Sequence, residues 1–365
     1  MSGSMEIPHF GLVRQYSNLK DELLTATDLA LRSGQLVGGK FTSNFEEWLR
    51  NRTGAKYAVT VHSGTQALEI IARYAKDDFA AAKGSHPPKI QIPNLTYPAT
   101  LAAFLTAGWE VELVDTDKYG IGMLTPGGTW ASPRSYSHYG CSVGLYGKAP
   151  PSVQGMRIVD GAQHWLVADK EIGVGMAISF DPTKNLPSSG NGGAIVTNDK
   201  DLHAYALAYR NNGNFAGAYV DIASSNSKMS EQDCAQILVR TKYLDAWQAR
   251  RADIAKFWCD RFRDLDIRCL SDVPGPHAHQ KFVLYLADRN SLHTELITSG
   301  IDSKIHYGYT LGELPIAINR KIPAPDMMSV SMMLSRGVLS LPMYPELTDD
   351  EVEYISIVVR KYLLH

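Results

Sequence analysis

Some short stretches of this 365-residue chain carry side chains whose types could do chemistry. In SFDPTKNLPSSGNGGAIVTND (179–199), Lys184 is set among Ser, Thr, Asn and Gly, directly after the apolar run MAISF. An amine partly withdrawn from water has a lowered pKa, is nucleophilic near neutral pH and condenses with an aldehyde as a Schiff base. The plain alternative is a solvated lysine at a loop tip. In VHSGTQALEI, Ser63, Gly64 and Thr65 pass from a strand into a helix. Free N–H groups and the helix dipole bind phosphate at such a point. Gly64 lets an anion approach the backbone, and Ser63 and Thr65 add hydroxyl donors; the same residue types also make an ordinary N-cap. RIVDGAQ puts Asp160 after an apolar strand, where a carboxylate either caps the following element or holds a cationic ligand nitrogen. NLTYPAT puts Tyr97 just past another strand, where an aromatic stacks on a flat ring or joins the core.

Each of these residues has a bland reading when taken singly. In chain order they run phosphate cradle, aromatic, acid, lysine. That combination is what pyridoxal 5'-phosphate (PLP) requires: an anion site, a ring to stack, an acid for the pyridine nitrogen and a Schiff-base amine.

Elements of the right kind stand behind these residues. KYAVTVH (Lys56–His62), KIQIP (Lys89–Pro93), EVELVD (Glu110–Asp115), MRIVDGAQ (Met156–Gln163), MAISF and GAIVTND read as strands, with helical patterns between several of them. The alternation predicts an α/β fold with a mostly parallel mixed sheet covered by helices on both faces. In such sheets ligands collect at the carboxyl ends of the strands. His62–Thr65, Asn94–Tyr97, Asp160–Gln163 and Ser179–Lys184 all fall there. From about Leu244 the texture changes to a long amphipathic helix, a strand in HQKFVLYLAD, a helix ended by Gly300 and a closing helix. Thr348 and Glu351 form a capping-box pattern on that last helix, with Val352, Ile355, Val359 and Leu363 on one apolar face. The expected division is a large domain over 1–245 and a smaller α/β domain over 246–365, with the N-terminal segment packing on the small one.

A net charge of −2 argues against nucleic acid and membrane surfaces as partners. No apolar run reaches the roughly 18 residues of a spanning helix. The start lacks the apolar core of a signal peptide, and its MSGS reads as an expression remnant. The four cysteines, Cys141, Cys234, Cys259 and Cys269, show no metal-ligand spacing, so no metal site is expected. Reduced, buried thiols in a cytoplasmic protein fit that usage.

Across nearly its whole length the sequence resembles the DegT/StrS-type sugar aminotransferases, which have the aspartate aminotransferase type I fold of PLP-dependent transferases. The resemblance runs through GGKFTSNFEEWLRNRTGAKYAVTVHSGTQAL, IPNLTYPATLAAFLTAGWEVELVDTD, VGLYGKAP, IVDGAQ with the 179–199 block, SSNSKMSEQDCAQI, GIDSKIHY and LSLPMYPELTDDEV. It implies that Lys184 holds the cofactor as a Schiff base and that Asp160 pairs with the protonated pyridine nitrogen. Tyr97 would stack on the ring, Gly64, Thr65 and Ser179 would bind the phosphate, and Gln163 would lie near the ring hydroxyl. Asn226 would reach the phosphate of a neighbouring subunit, so a homodimer with shared active sites is implied. His306 and Tyr307 would lie near the substrate. The chain departs from the family in Gly161, where Ala is common, in Lys228, where Arg is frequent, and in lacking a glycine two positions before Asn226. The segment 118–140 fits the pattern poorly and carries no assignment beyond a share in shaping the acceptor site.

The activity implied is ping-pong transamination, with pyridoxamine phosphate (PMP) formed midway. The donor is L-glutamate and the acceptor a nucleotide-linked 3- or 4-keto-6-deoxy hexose. A sugar dehydratase of the same fold is an alternative, though relatives with that activity carry histidine at the lysine position. An aminocyclitol aminotransferase and a catalytically silent regulatory or binding protein are the others.

Overall fold

The computed structural model describes residues 6–83, 88–124, 138–151, 157–168 and 172–364. The leading MSGS, Met156 and residues 125–137 of the unassigned segment lie outside the described residues. Helices α1 (Leu12–Arg32) and α2 (Lys40–Thr53) lead into β1 (Tyr57–Val61) and α3 (Gly64–Lys83). There follow β2 (Lys89–Pro93), α4 (Pro98–Thr106), β3 (Glu110–Val114), β4 (His138–Val143), β5 (Arg157–Asp160), β6 (Gly175–Ser179), β7 (Gly193–Thr197) and α5 (Lys200–Tyr209).

These strands form a seven-stranded sheet in the order β1-β7-β6-β5-β4-β2-β3. β7 runs antiparallel to both its neighbours, and every other adjacent pair is parallel. Side chains alternate between faces along a strand, and here each face meets its own core. On β5 to β7, Ile158, Ala177 and Ile195 join Leu68 and Ile71 of α3 on one side. Val159, Met176, Ile178, Ala194 and Val196 join Phe45 and Leu49 of α2 on the other. A sheet buried on both faces needs near-continuous apolar strands, which is why MAIS and GAIVT show no polar alternation. β4 is the strand the sequence pattern misses. HYGCSV is rich in residues with weak strand preference, yet it pairs with β2 and β5 in the middle of the sheet, and Tyr139, Cys141 and Val143 pack into the first core.

The rest of the chain supplies the hairpin β8 (Asn214–Phe215) and β9 (Ala218–Tyr219), then α6 (Glu231–Thr241) and α7 (Leu244–Arg261). After these come β10 (Arg268–Cys269), β11 (Phe282–Tyr285), α8 (Arg289–Thr298), α9 (Pro315–Asn319), α10 (Val330–Gly337), β12 (Val338–Leu341) and α11 (Asp349–Leu364). β10, β11 and β12 make a separate antiparallel sheet. α7 spans two cores: Leu244 packs beside Phe45, whereas Ile254, Ala255 and Trp258 pack beside Phe282, Leu341 and Ile355. Ile7 joins that last group. Its N–H donates to the Gly300 carbonyl (2.8 Å) and its carbonyl accepts from Asp302 (2.9 Å). Gly300 has φ +79°, the left-handed conformation that closes α8. The capping box of α11 forms as expected, with Thr348 N–H on Glu351 Oε2 (2.9 Å) and Glu351 N–H on Thr348 Oγ1 (3.2 Å). Among the described residues, no helix is long and apolar enough to cross a membrane.

Candidate active site

The turn between β1 and α3 passes closely beneath the end of β6. Ser63 caps α3, its Oγ accepting from Gln66 N–H (3.1 Å), so the capping reading holds for this residue. A Cβ on Gly64 would lie 2.7 Å from Ser179 Cβ, and one on Gly193 would lie 2.3 Å from the Ser63 carbonyl carbon. Glycine is therefore required at both positions for backbone packing. The helix N-terminus and the Ser179 hydroxyl come together as a cradle of N–H and O–H donors, the kind of site that takes an anion.

Lys184 follows a tight turn at the end of β6. Asp181 Oδ1 accepts from Thr183 N–H (2.9 Å) and Thr183 Oγ1 (2.6 Å), and the Asp181 carbonyl accepts from Lys184 N–H (2.9 Å). Beyond it, Asn185 Nδ2 donates to Gln248 Oε1 (2.6 Å) and to the Ala278 carbonyl (2.7 Å). The Ser, Thr and Asn residues around Lys184 thus anchor its backbone while its side chain enters a cavity. Burial holds the amine below the ordinary lysine range, against the opposing pull of Asp181 and then Asp160. Asp160 ends β5. Its Oδ2 accepts from Thr100 Oγ1 (2.8 Å) and its Oδ1 from Ala162 N–H (3.2 Å). Burial holds its carboxyl above the ordinary range, opposed by Thr100, Ala162 and Lys184. A buried carboxylate with so few donors is suited to a cationic partner.

The cavity has a volume of about 350 Å³, the size of a small-molecule site. Ser63, Gly64, Thr65, Ser179 and Lys184 line it, together with Asp160, Gln163, Tyr97, His306 and Tyr307. Tyr97 is 57% exposed and precedes α4, so it is not a core residue; its ring stands 5.9 Å from that of Tyr307. Gln163 Oε1 accepts from Tyr146 N–H (2.6 Å), and Nε2 donates to the Tyr307 hydroxyl (3.3 Å). His306 Nδ1 bonds Ser340 Oγ (2.9 Å), and burial, Lys281 and His9 push its pKa down to about 2, so its ring is neutral. Burial raises the Tyr307 hydroxyl well above the ordinary range.

Asn226 does not line this cavity. It is exposed and forms a β-bridge with Asn211, beside the bond from His62 N–H to the Ser227 carbonyl (2.8 Å). Sequence reasoning passes over Asp181, Thr100, Phe10 and Lys281. Asp181 and Thr100 lie within motifs already singled out, in SFDPTK and YPAT, and were legible as local turn and hydroxyl partners. Phe10 and Lys281 arrive from far along the chain, and no local signal marks them.

The family model described as "DegT/DnrJ/EryC1/StrS aminotransferase family" matches residues 17–123 and 167–360. One relative, named UDP-N-acetyl-3-dehydro-alpha-D-glucosamine 3-aminotransferase, of Acidithiobacillus ferrooxidans, is 27% identical over 378 residues, covering 100% of both chains. The crystal structure of DesV from S. venezuelae superposes with a TM-score of 0.85 at 24% identity, covering 99% of each chain. That of NtdA from Bacillus subtilis, solved with bound PMP, gives 0.81 at 21% identity, covering 95% of this chain and 82% of that one. At these identities the two structures show a shared fold.

Proposed function

The chain belongs to the DegT/DnrJ/EryC1/StrS aminotransferase family, and from that premise we propose that it moves an amino group from L-glutamate to a nucleotide-linked keto sugar, with PLP in the cavity around Lys184. One observation carries this reading: Lys184, Asp160 and the Ser63–Thr65 cradle, distant in sequence, share one cavity. The residues fit the cofactor. The Gly64–Ser179 approach leaves N–H and O–H donors for a phosphate, Asp160 meets no cation but Lys184 among the described residues, and Lys184 is the amine that joins an aldehyde. The PMP bound in a structure of the same fold supports the choice. The relative named for a 3-dehydro UDP-sugar supports a keto-sugar nucleotide as acceptor.

When bound, PLP supplies an aldehyde and an electron-accepting ring. The protein's own residues do the rest. Gly64, Thr65 and Ser179 would hold the phosphate, and Asp160 would keep a proton on the ring nitrogen. Tyr97 would cover the ring, and Gln163 would serve its hydroxyl. Lys184 would take the proton from the donor's α-carbon and later deliver one to the sugar carbon that receives the amine. Its depressed basicity suits it to both directions. His306 and Tyr307 face the substrate side.

The functional unit is a homodimer in this reading, with Asn226 serving the partner's phosphate site. The exposed hairpin residues Phe215 and Tyr219, close in sequence to Asn226, support a subunit contact there. We assign 1–245 to a large unit, 246–365 to a small one, a 3- or 4-keto-6-deoxy sugar as acceptor, and a cytoplasmic location. Borohydride reduction of the PLP-loaded protein tests the core of this proposal. Peptide mass mapping is expected to find the pyridoxyl label on Lys184, K184A is expected to lose both label and turnover, and a label on any other lysine overturns the assignment. Glutamate with a panel of keto-sugar nucleotides, read by mass change, then identifies the acceptor.

A further inference from the structure

Lys281 also lines the cavity, and none of the roles above uses it. It immediately precedes β11, far in sequence from the Lys184 turn. Its backbone is fixed on both sides, its N–H donating to the Tyr146 carbonyl (3.1 Å) and its carbonyl accepting from Ser271 Oγ (3.4 Å). The residue is only 6% exposed, and its Nζ lies 5.6 Å from the Phe10 ring centroid. Among the described residues no carboxylate stands within 4.0 Å of that Nζ. The charged groups facing it are Lys184, Arg251 and Asp181. Asp181 spends an oxygen on Thr183, and Asp160 is engaged with Thr100 and Ala162. His9 and His306 nearby are neutral, their pKa values lowered to about 4 and about 2. A buried ammonium without an anion is costly. Burial and the two like charges lower Lys281 to about 7, so an arriving anion recharges it.

We infer that Lys281 is the anchor of a carboxylate subsite within the cavity, and that the carboxylate it takes is that of the amino donor. This rests on the transaminase reading above. Every α-amino donor carries a carboxylate on the same carbon as its amine, so a donor amine delivered to Lys184 brings a carboxylate with it. The ring of a keto-6-deoxy sugar brings none, since its nucleotide carries the negative charge on the diphosphate, away from the carbon that receives the amine. Lys281 thereby distinguishes the two half-reactions that share the cavity: it binds in the first and stands aside in the second.

Succinate, an unreactive dicarboxylate, tests the subsite by calorimetry on the purified protein, with or without cofactor. In K281M its Kd is expected to rise about 10- to 100-fold, the weight of one charge-assisted contact, and in K281R to stay within about 3-fold of wild type. In stopped-flow absorbance of the holoenzyme, K281M is expected to need correspondingly more L-glutamate for half-saturation. The half-reaction of the PMP form with keto-sugar nucleotide should be unchanged. Unaltered succinate affinity in a K281M protein that melts at or above the wild-type temperature overturns the inference. So does an equal defect in the acceptor half-reaction, which would make the acceptor's diphosphate the anion that Lys281 meets or make Lys281 act through Lys184. Failure of wild type to load PLP sinks the transaminase reading instead, while the succinate comparison still decides the subsite.

Discussion

Asp160 is a carboxylate withdrawn from water with a hydroxyl, an N–H and a lysine to compensate it. Its raised pKa has a definite consequence for stability. A group whose folded pKa lies above its unfolded value stabilises below the unfolded pKa of about 3.9 and loses that contribution as pH rises through the folded value. D160N is therefore expected to hold or gain stability at neutral pH in the cofactor-free protein. Its turnover should fall by about 100-fold or more, because the amide does not hold a proton on a ring nitrogen. Melting curves at pH 4 and pH 7, set beside single-turnover rates, check both parts. Gly64 is the opposite kind of residue, one that matters for what it lacks. G64A forces a methyl to 2.7 Å from Ser179 Cβ, an overpacking expected to cost about 1–3 kcal/mol. It should also weaken PLP retention, measured by absorbance titration.

At the scale of elements, helix ends and strand ends do most of the positioning. β1, β5 and β6 each stop where a functional residue begins, and a local cap or turn then takes over: Ser63 on Gln66, Asp160 on Ala162, Asp181 on Thr183. These features were legible because capping and tight turns are written in neighbouring residues. The same is true of α11, where Thr348 and Glu351 show the pattern and form the bonds. T348A is expected to cost about 1 kcal/mol in denaturant unfolding. Removal of Glu351 is expected to cost more, about 1.5–3 kcal/mol, because its two oxygens also receive Arg14 Nη1 (2.7 Å) and Nη2 (2.6 Å) from α1. Equal losses in the two variants would contradict that added role. β4 was not legible. Its HYGCSV pattern is too weak to declare a strand, and only hydrogen bonds from β2 and β5 on either side make it one.

Across the whole molecule, the cavity is assembled from chain segments that meet only after folding. The Ile7 contacts with Gly300 and Asp302 carry Phe10 to the cavity, and β11 carries Lys281. Lys281 offers a check on this assembly. Its folded pKa of about 7 lies below the unfolded lysine value of about 10.4. A depressed pKa leaves stability intact above pH 10.4 and removes it as pH falls toward 7, after which the loss is constant. The advantage of K281M over wild type should therefore be absent near pH 10.5 and reach on the order of 4 kcal/mol by pH 6. Urea unfolding across that range measures it, and a difference that does not vary with pH would mean the lysine is solvated.

Residue order alone was enough to set the kind of sheet, the strand ends that carry Lys184, Asp160, Tyr97 and Ser63–Thr65, the capped helices and, through the family its motifs match, the class of reaction. Those are local patterns of period, cap and spacing, and the chain carries them before it folds. Folding in three dimensions was needed to show that a side chain at Gly64 would collide with Ser179, that β4 completes the sheet, that Phe10 and Lys281 join the cavity, and that the Tyr146 N–H holds Gln163. Those contacts join segments far apart in the chain, and their geometry follows from how the separate apolar cores pack together rather than from any neighbour in sequence.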